Sequence, residues 1–299
     1  MAELPASTLT VRSTAIIDEA IATVKITSTT LGVDIPESGK EYGDRAQYIR
    51  AIAERLIANN SAMPWTGLAA ILYSLKGQML AQSALFLTET YPTVKIAIER
   101  QAAAVTTART RINIVINQLR AERQAAIALN NSGCIAASIS LQNRAALAGI
   151  SASNHAIENL QTTAAANAEV MDTLRLHVQD RLAQLMSSNT LPVPSGGGSG
   201  LLQVNAASLR LSSQQLAERS LEFAEENRVA MVESIPAKVA RTHGRVFTET
   251  FDSALETFER NQNILLLRIK VQLAELAERL NSAANALERI DIDAAGALL

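Results

Sequence analysis

The sequence predicts an all-α protein, an elongated bundle of long antiparallel, coiled-coil-like helices, and three observations carry that expectation. Two apolar tracts within residues 94–185 repeat at alternating three- and four-residue steps: Ile98, Val105, Ala108, Ile112, Val115, Leu119, Ala126 and Leu129, then Ile150, Ile157, Leu160, Ala164, Met171, Leu174 and Val178. That spacing is the seam of a coiled coil. Hydrophobic residues make up 48 % of the 299-residue chain but aromatics only 3 %, and alanine is about one residue in six. Small apolar side chains suit closely packed helices better than a wide core or a roomy ligand pocket. Only 13 Gly and 7 Pro punctuate the chain, so long helices are permitted.

Taken in order, residues 8–28 place Ile17, Ile21 and Val24 on one face with Asp18 and Glu19 opposite, the pattern of an amphipathic helix. A loop with Pro36 and Gly39 follows over 32–42. Asp44 with Gln47 three residues later matches a capping box. Ile49, Ile52, Ala53, Leu56 and Ile57 then form a stripe, predicting a helix over 45–58 that ends at Asn59-Asn60-Ser61.

Residues 63–88 read differently. Pro64 suits a first helical turn, and Lys76 is the only charged residue between Arg55 and Glu89. Leu68, Ile71, Leu72, Leu75, Met79, Leu80, Leu85 and Phe86 make this helix apolar nearly all round, so it must be buried in protein or in lipid. Ser74, Lys76, Gln78, Gln82 and Ser83 interrupt the run well short of the ~20 apolar residues of a membrane span. A central helix wrapped by its neighbours is expected. Trp65-Thr66-Gly67, with helices predicted on both sides, resembles the Trp-x-Gly turn of small helical-hairpin proteins exported by type VII secretion. The resemblance covers three residues, and no property of that family is carried over from it.

Pro92 opens the first helix of the repeat, whose seam is interrupted by Gln101 and Glu122; Ser153 and Asn167 are polar members of the second. The turn Asn130-Asn131-Ser132-Gly133 between them predicts an antiparallel hairpin. A helix of about 40 residues is roughly 60 Å long, so a rod is expected rather than a ball. No charged residue stands between Arg123 and Arg144, and Ile127, Leu129, Ile135 and Ile139 make this end of the hairpin a contact surface for the same chain, another copy or a membrane. Lys95, Arg100, Arg109, Arg111, Arg120 and Arg123 outnumber Glu99 and Glu122 over 92–131. They read as a solvated face or as partners for Glu218, Glu222, Glu225 and Glu226 of the C-terminal half.

The run rich in Ser, Pro and Gly over 188–200 breaks all periodicity and divides the chain into a helical region, 1–187, and a long helical hairpin, 201–299. Its glycines are no phosphate-binding loop, because no Gly-Lys-Ser/Thr follows; the run also has the composition of an engineered connector. Beyond it, Leu209, Leu216, Phe223 and Val229 lead to Ile235-Pro236, where proline should kink or end the helix. One final long helix is expected along Val239, Phe247, Phe251, Phe258, Leu265, Ile269, Leu273, Leu276, Leu280, Ala283, Leu287 and Ile290, with a frayed tail around Gly296. Glu256 with Arg260 and Glu275 with Arg279 are favourable pairs on its surface.

Chemistry is sparse. His155 and Glu158 share a helical face, but no second such pair, His-Glu-x-x-His motif or Cys pair accompanies them, and His177 and His243 are the only other histidines. No metal, cofactor or enzymatic activity is expected. Cys134 is the only cysteine, so no intrachain disulfide can form. With 27 basic against 29 acidic residues, nucleic acid is not the expected partner. Met1-Ala2-Glu3-Leu4-Pro5 has no basic region leading into an apolar core, so no classical signal peptide is expected. The protein would be cytoplasmic or part of an assembled particle, with export independent of such a signal left open.

The function these features suggest is a non-enzymatic, self-assembling structural subunit of a larger assembly, whether filament, shell, injection apparatus or virion. It would work as a homo-oligomer or within a larger protein assembly. The alternative is an α-helical membrane-inserting or pore-forming protein. Either would act through Trp65, Leu68, Ile71, Leu72, Leu75, Met79, Leu80, Leu85, Phe86, Ile127, Leu129, Ile135 and Ile139.

Overall fold

Apolar residues at helical spacing become helix almost throughout the computed structural model, which describes residues 14–33, 35–62, 68–187, 205–232 and 234–297. Among the described residues there are seven helices and no strand: α1 (Ala15–Thr30), α2 (Lys40–Ser61), α3 (Leu68–Asn131), α4 (Ile135–Ser187), α5 (Ala206–Val232), α6 (Ile235–His243) and α7 (Arg245–Ala297). The long helices pack against one another as an all-α bundle. The linker expected over 188–200 lies outside the described residues, as does Trp65.

The chain forms two compact units, each drawing segments from both sides of that linker. The first comprises Met1–Ser38, Ala97–Val170 and Pro236–Leu255. Its core is Ile17, Ala20 and Val24 of α1 against Val105, Ala108, Ile112, Val115 and Leu119 of α3 and Ala146, Ala156 and Leu160 of α4. Leu119 sits where a Cβ on Gly149 would come within 3.0 Å, so the absence of a side chain at 149 sets the close approach of α3 and α4 there. The two polar seam residues meet: the Asn167 amide donates to the Gln101 carbonyl oxygen at 3.1 Å, with both residues buried. The bond satisfies the Asn167 donor and the Gln101 acceptor, whose isolated burial would cost free energy, while Gln101 Nε2 stays buried without a partner.

At the end of α3 the amides of Gly133 and Cys134 bond back to the carbonyls of Asn130 and Leu129. This is the Schellman arrangement, and Gly133 takes the positive φ of 80° that it demands. The buried Ser138 hydroxyl donates across the turn to the Ala126 carbonyl at 3.0 Å, closing the hairpin. A pair of glycines corrects the expected single C-terminal helix. Gly244, at φ 79°, separates α6 from α7, and a Cβ there would lie 2.5 Å from the Thr30 carbonyl oxygen. Gly32, at φ 78°, faces it equally closely, so two backbone segments touch where no side chain fits.

The second unit comprises Gly39–Ile96, Met171–Ile235 and Glu256–Leu299. Its helix α2 starts at Lys40 with Gly39 as a left-handed N-cap and no side-chain cap, five residues ahead of the expected start at 45. The Asp44 and Gln47 pair therefore lies inside the helix. What holds the extra turn is burial of Tyr42 and Arg45 on the stripe that continues through Ile49, Ile52 and Leu56. Near its end the Asn60 amide lies against Gly77, whose missing Cβ leaves the room.

Pro92 does not open a helix; it lies inside α3. An interior proline forfeits one backbone hydrogen bond and typically costs ~3 kcal/mol. Leu87, Tyr91 and Val94 beside it are all fully buried, and burying a side chain of that size contributes about 1.5–3 kcal/mol each, enough to carry the helix through. Antiparallel α5 and α7 are joined by Ser213 and Ser220, whose hydroxyls donate to the carbonyls of Ala277 and Lys270, and by a two-pronged Arg210–Glu288 ion pair. At the other end of α5, α6 begins at Ile235, so the break expected at Ile235-Pro236 is present.

Candidate interaction surface

The residues expected to carry contacts fall in two places. In the second unit, the segment of α3 from Leu68 has one buried and one open face. Leu80 is fully buried along with Ala81, Ala84 and Leu87, whereas Ile71 is 57 % and Leu75 47 % exposed. Leu72, Met79, Leu85 and Phe86 are half-buried, and the Arg181 guanidinium lies 5.9 Å from the centre of the Phe86 ring. The expectation of a helix wrapped on all sides is therefore corrected, because its apolar residues exceed the surface its neighbours cover. Lys76, the lone charge of the stretch, is buried. Burial pushes its pKa down, as do Arg268 and Arg279 nearby, while Glu275 opposes them.

In the first unit, the hairpin end presents Ile135 at 60 % and Ile139 at 46 % exposure beside the exposed Cys134, while Ile127 and Leu129 are half-buried. Among the described residues no helix is long and apolar enough to cross a membrane.

Of the two readings of the basic residues over 92–131, pairing with the acids of α5 is not seen among the described residues, while Arg100, Arg111 and Arg120 lie exposed. Glu218 and Glu222 pair with Arg219, Glu225 with Arg228, and Glu226 with Arg45. Arg123 instead pairs with Asp18, and Arg109 donates to the Gly32 carbonyl. The acidic residues of α5 thus find arginines on α2 and on α5 itself. His155 and Glu158 bond one another at 3.0 Å on an open surface. Among the described residues no cluster of three or more His, Cys, Asp or Glu could hold a metal ion.

A further group escaped sequence reasoning. In the second unit Arg45 is 7 % exposed, donates to Glu259 Oε1 at 2.8 Å and lies 3.4 Å from Glu226 Oε1. Its guanidinium carbon sits 5.8 Å from the centre of the Tyr42 ring, and Tyr42 packs on Tyr91 at a centroid distance of 5.6 Å. Burial raises the pKa of both carboxyls, with Arg45 opposing the rise, and it raises both tyrosines as well. The available signal was position: Arg45 falls on the same helical stripe as Tyr42, Ile49 and Ile52.

Comparison with known proteins adds two stretches. Residues 199–299 match the family model described as excreted virulence factor EspC, type VII ESX diderm. Residues 31–114, which include Trp65-Thr66-Gly67, match that of the EspA/EspE family. Neither the comparison with curated proteins nor that with solved structures returns a match. The chain is thus similar over one stretch to a family whose description names type VII ESX excretion, and over a separate stretch to the EspA/EspE family.

Proposed function

We propose that this chain is a non-enzymatic, helical structural protein exported through a type VII ESX system and acting outside the cell by packing against other protein subunits. The observation that carries the reading is the pair of matched stretches, one on each side of the linker. The all-helical fold and the exposed Ile71, Leu75, Ile135 and Ile139 support it, since uncharged exposed surface of this kind favours protein contacts.

The test compares culture filtrates of a host with an intact type VII apparatus and of an otherwise identical strain in which it is disabled. The chain should reach the filtrate only from the first. Equal amounts in both filtrates would overturn the reading. Membrane insertion is a second reading, favoured by the uncharged end of the hairpin. It requires the purified chain to release dye from liposomes, and the release to be lost in Ile135→Asp with Ile139→Asp.

A further inference from the structure

In the first unit the stretch after α1 that carries Val33 and Glu37 lies against the corner between α6 and α7, and hydrogen bonds rather than apolar burial hold it there. The Val33 amide donates to the Thr242 carbonyl at 3.1 Å, the Glu37 amide to the Thr242 hydroxyl at 3.0 Å, and Arg109 of α3 to the Gly32 carbonyl. Val33 and Ile35 are themselves 45 % and 87 % exposed. A further bond to the corner comes from His243, the last residue of α6, which is wholly buried. Its Nε2 lies 2.8 Å from the Glu37 carbonyl oxygen. A carbonyl only accepts, so Nε2 carries the hydrogen and the neutral ring leaves Nδ1 bare. That Nδ1 is buried and has no hydrogen-bond partner, so no acceptor is in place for a second ring hydrogen.

We propose that this corner is an acid-operated latch, in which a proton taken up from water at Nδ1 of His243 lets the stretch carrying Val33 and Glu37 swing away from α6 while the helices stay folded. Closed, the latch would hold an imidazolium out of water with an N–H that has no acceptor; open, both ring nitrogens reach water. Among the charged groups of the elements that meet here, Glu37 favours the imidazolium. Arg109 of α3, Lys238 and Arg241 of α6 and Arg245 of α7 carry the same sign of charge as the protonated ring, and α1 has no base in its last turn. Burial outweighs Glu37 and holds the imidazole below its ordinary pKa of 6.5. The closed form therefore binds the proton less tightly than the open form. It is fully favoured above pH 6.5 and loses ground as the pH falls from there toward the folded value. Asp252 of α7 titrates with the opposite sign, since burial raises its pKa, so the effect of His243 is read as the difference made by removing its ring. This inference does not depend on the export route.

The test is amide hydrogen exchange of the full-length chain between about pH 7.5 and about pH 5, corrected for the intrinsic pH dependence of exchange. Opening at the Val33 and Glu37 amides should rise by up to about tenfold for each pH unit below 6.5. The seam amides of α3 and α4 should keep their protection over the same range. His243→Gln retains a side-chain N–H for the Glu37 carbonyl but takes up no proton, so its opening should stay flat. Carbon NMR of the ring follows the proton without any variant, and His243 should titrate below 6.5. Flat opening in the unaltered chain, an equal slope in His243→Gln, or a His243 that titrates at or above 6.5 would each overturn the latch. So would protection lost from the α3 and α4 seams together with Val33, because acid would then unfold the unit rather than release one stretch.

Discussion

The Gln101–Asn167 contact of the first unit and the Arg45–Glu226–Glu259 cluster of the second place polar groups inside helix packing at very different electrostatic cost. In the first, two neutral amides exchange one hydrogen bond at a seam of small and branched apolar residues. In the second, one cation and two anions are withdrawn from water among tyrosines. Withdrawing a neutral amide costs at most a few kcal/mol, and withdrawing an ion costs much more unless its partners stay in place. The comparison teaches that the second unit depends on each member of a set, while the first depends on a single matched pair.

The largest expected effect breaks the charged set. Arg45→Met leaves Glu226 and Glu259 buried without their cation and should cost about 3–5 kcal/mol at neutral pH in chemical denaturation. The sign with pH follows from the carboxyls, whose folded pKa values already stand above the ordinary 4.5 and rise further once Arg45 is gone. The folded state then holds their protons more tightly than the unfolded state. Stability should therefore recover as pH falls from the raised values toward 4.5. A loss under 1 kcal/mol, or one that does not shrink in acid, would show that the cluster does not depend on its cation.

A second change tests burial without any charge network. Leu80→Asp places a carboxylate at a fully buried position and should cost several kcal/mol, whereas Ile71→Asp on the open face of the same helix should stay within about 0.5 kcal/mol. Equal losses would mean that α3 is covered on both faces in solution. In the seam, Asn167→Ala leaves the buried Gln101 side-chain carbonyl oxygen without its donor and should cost about 1–3 kcal/mol. Replacing Gln101 and Asn167 together by leucine should recover most of that loss, and failure to recover it would mean that the pair contributes more than its own desolvation.

The smallest effect belongs to a titrating group of the first unit. Asp252 accepts a hydrogen bond from Thr248 at 2.7 Å, and burial raises its pKa to about 6. Because the folded state binds this proton more tightly, its charge opposes folding above pH 6 and the opposition fades toward pH 3.8. Asp252→Asn should thus stabilise by on the order of 1 kcal/mol at pH 7.5, with the gain vanishing near pH 4. A constant gain across that range would assign it to packing instead.

Much of this was legible in the sequence. The seam positions Ile98, Val105, Ile112, Leu160, Ala164 and Met171 are all buried, and Gln101 and Asn167 stand where the spacing puts them. The Asn130–Gly133 turn was equally legible, because a glycine with positive φ ends a helix through bonds reaching only five residues back. The candidate contact residues were legible as apolar but not as buried or open. Spacing distinguishes faces only when polar residues mark one of them, and in residues 68–88 they hardly do. Which arginines meet Glu218, Glu222, Glu225 and Glu226 was not legible, because net charge along a helix does not specify which neighbour it meets.

Helix content and the closed hairpin turn follow from interactions among residues close in the chain, and the seam positions from their spacing, so the sequence by itself determined them. The tertiary structure alone decided three matters. Helix α3 runs through Pro92 because burial of Leu87, Tyr91 and Val94 outweighs one lost backbone bond. The chain breaks at Gly244 because Gly32, more than two hundred residues away in sequence, needs its backbone space. Arg45 is a core residue because Glu226 and Glu259 arrive from α5 and α7 to meet it. In each case the deciding energy comes from a neighbour that no local pattern names.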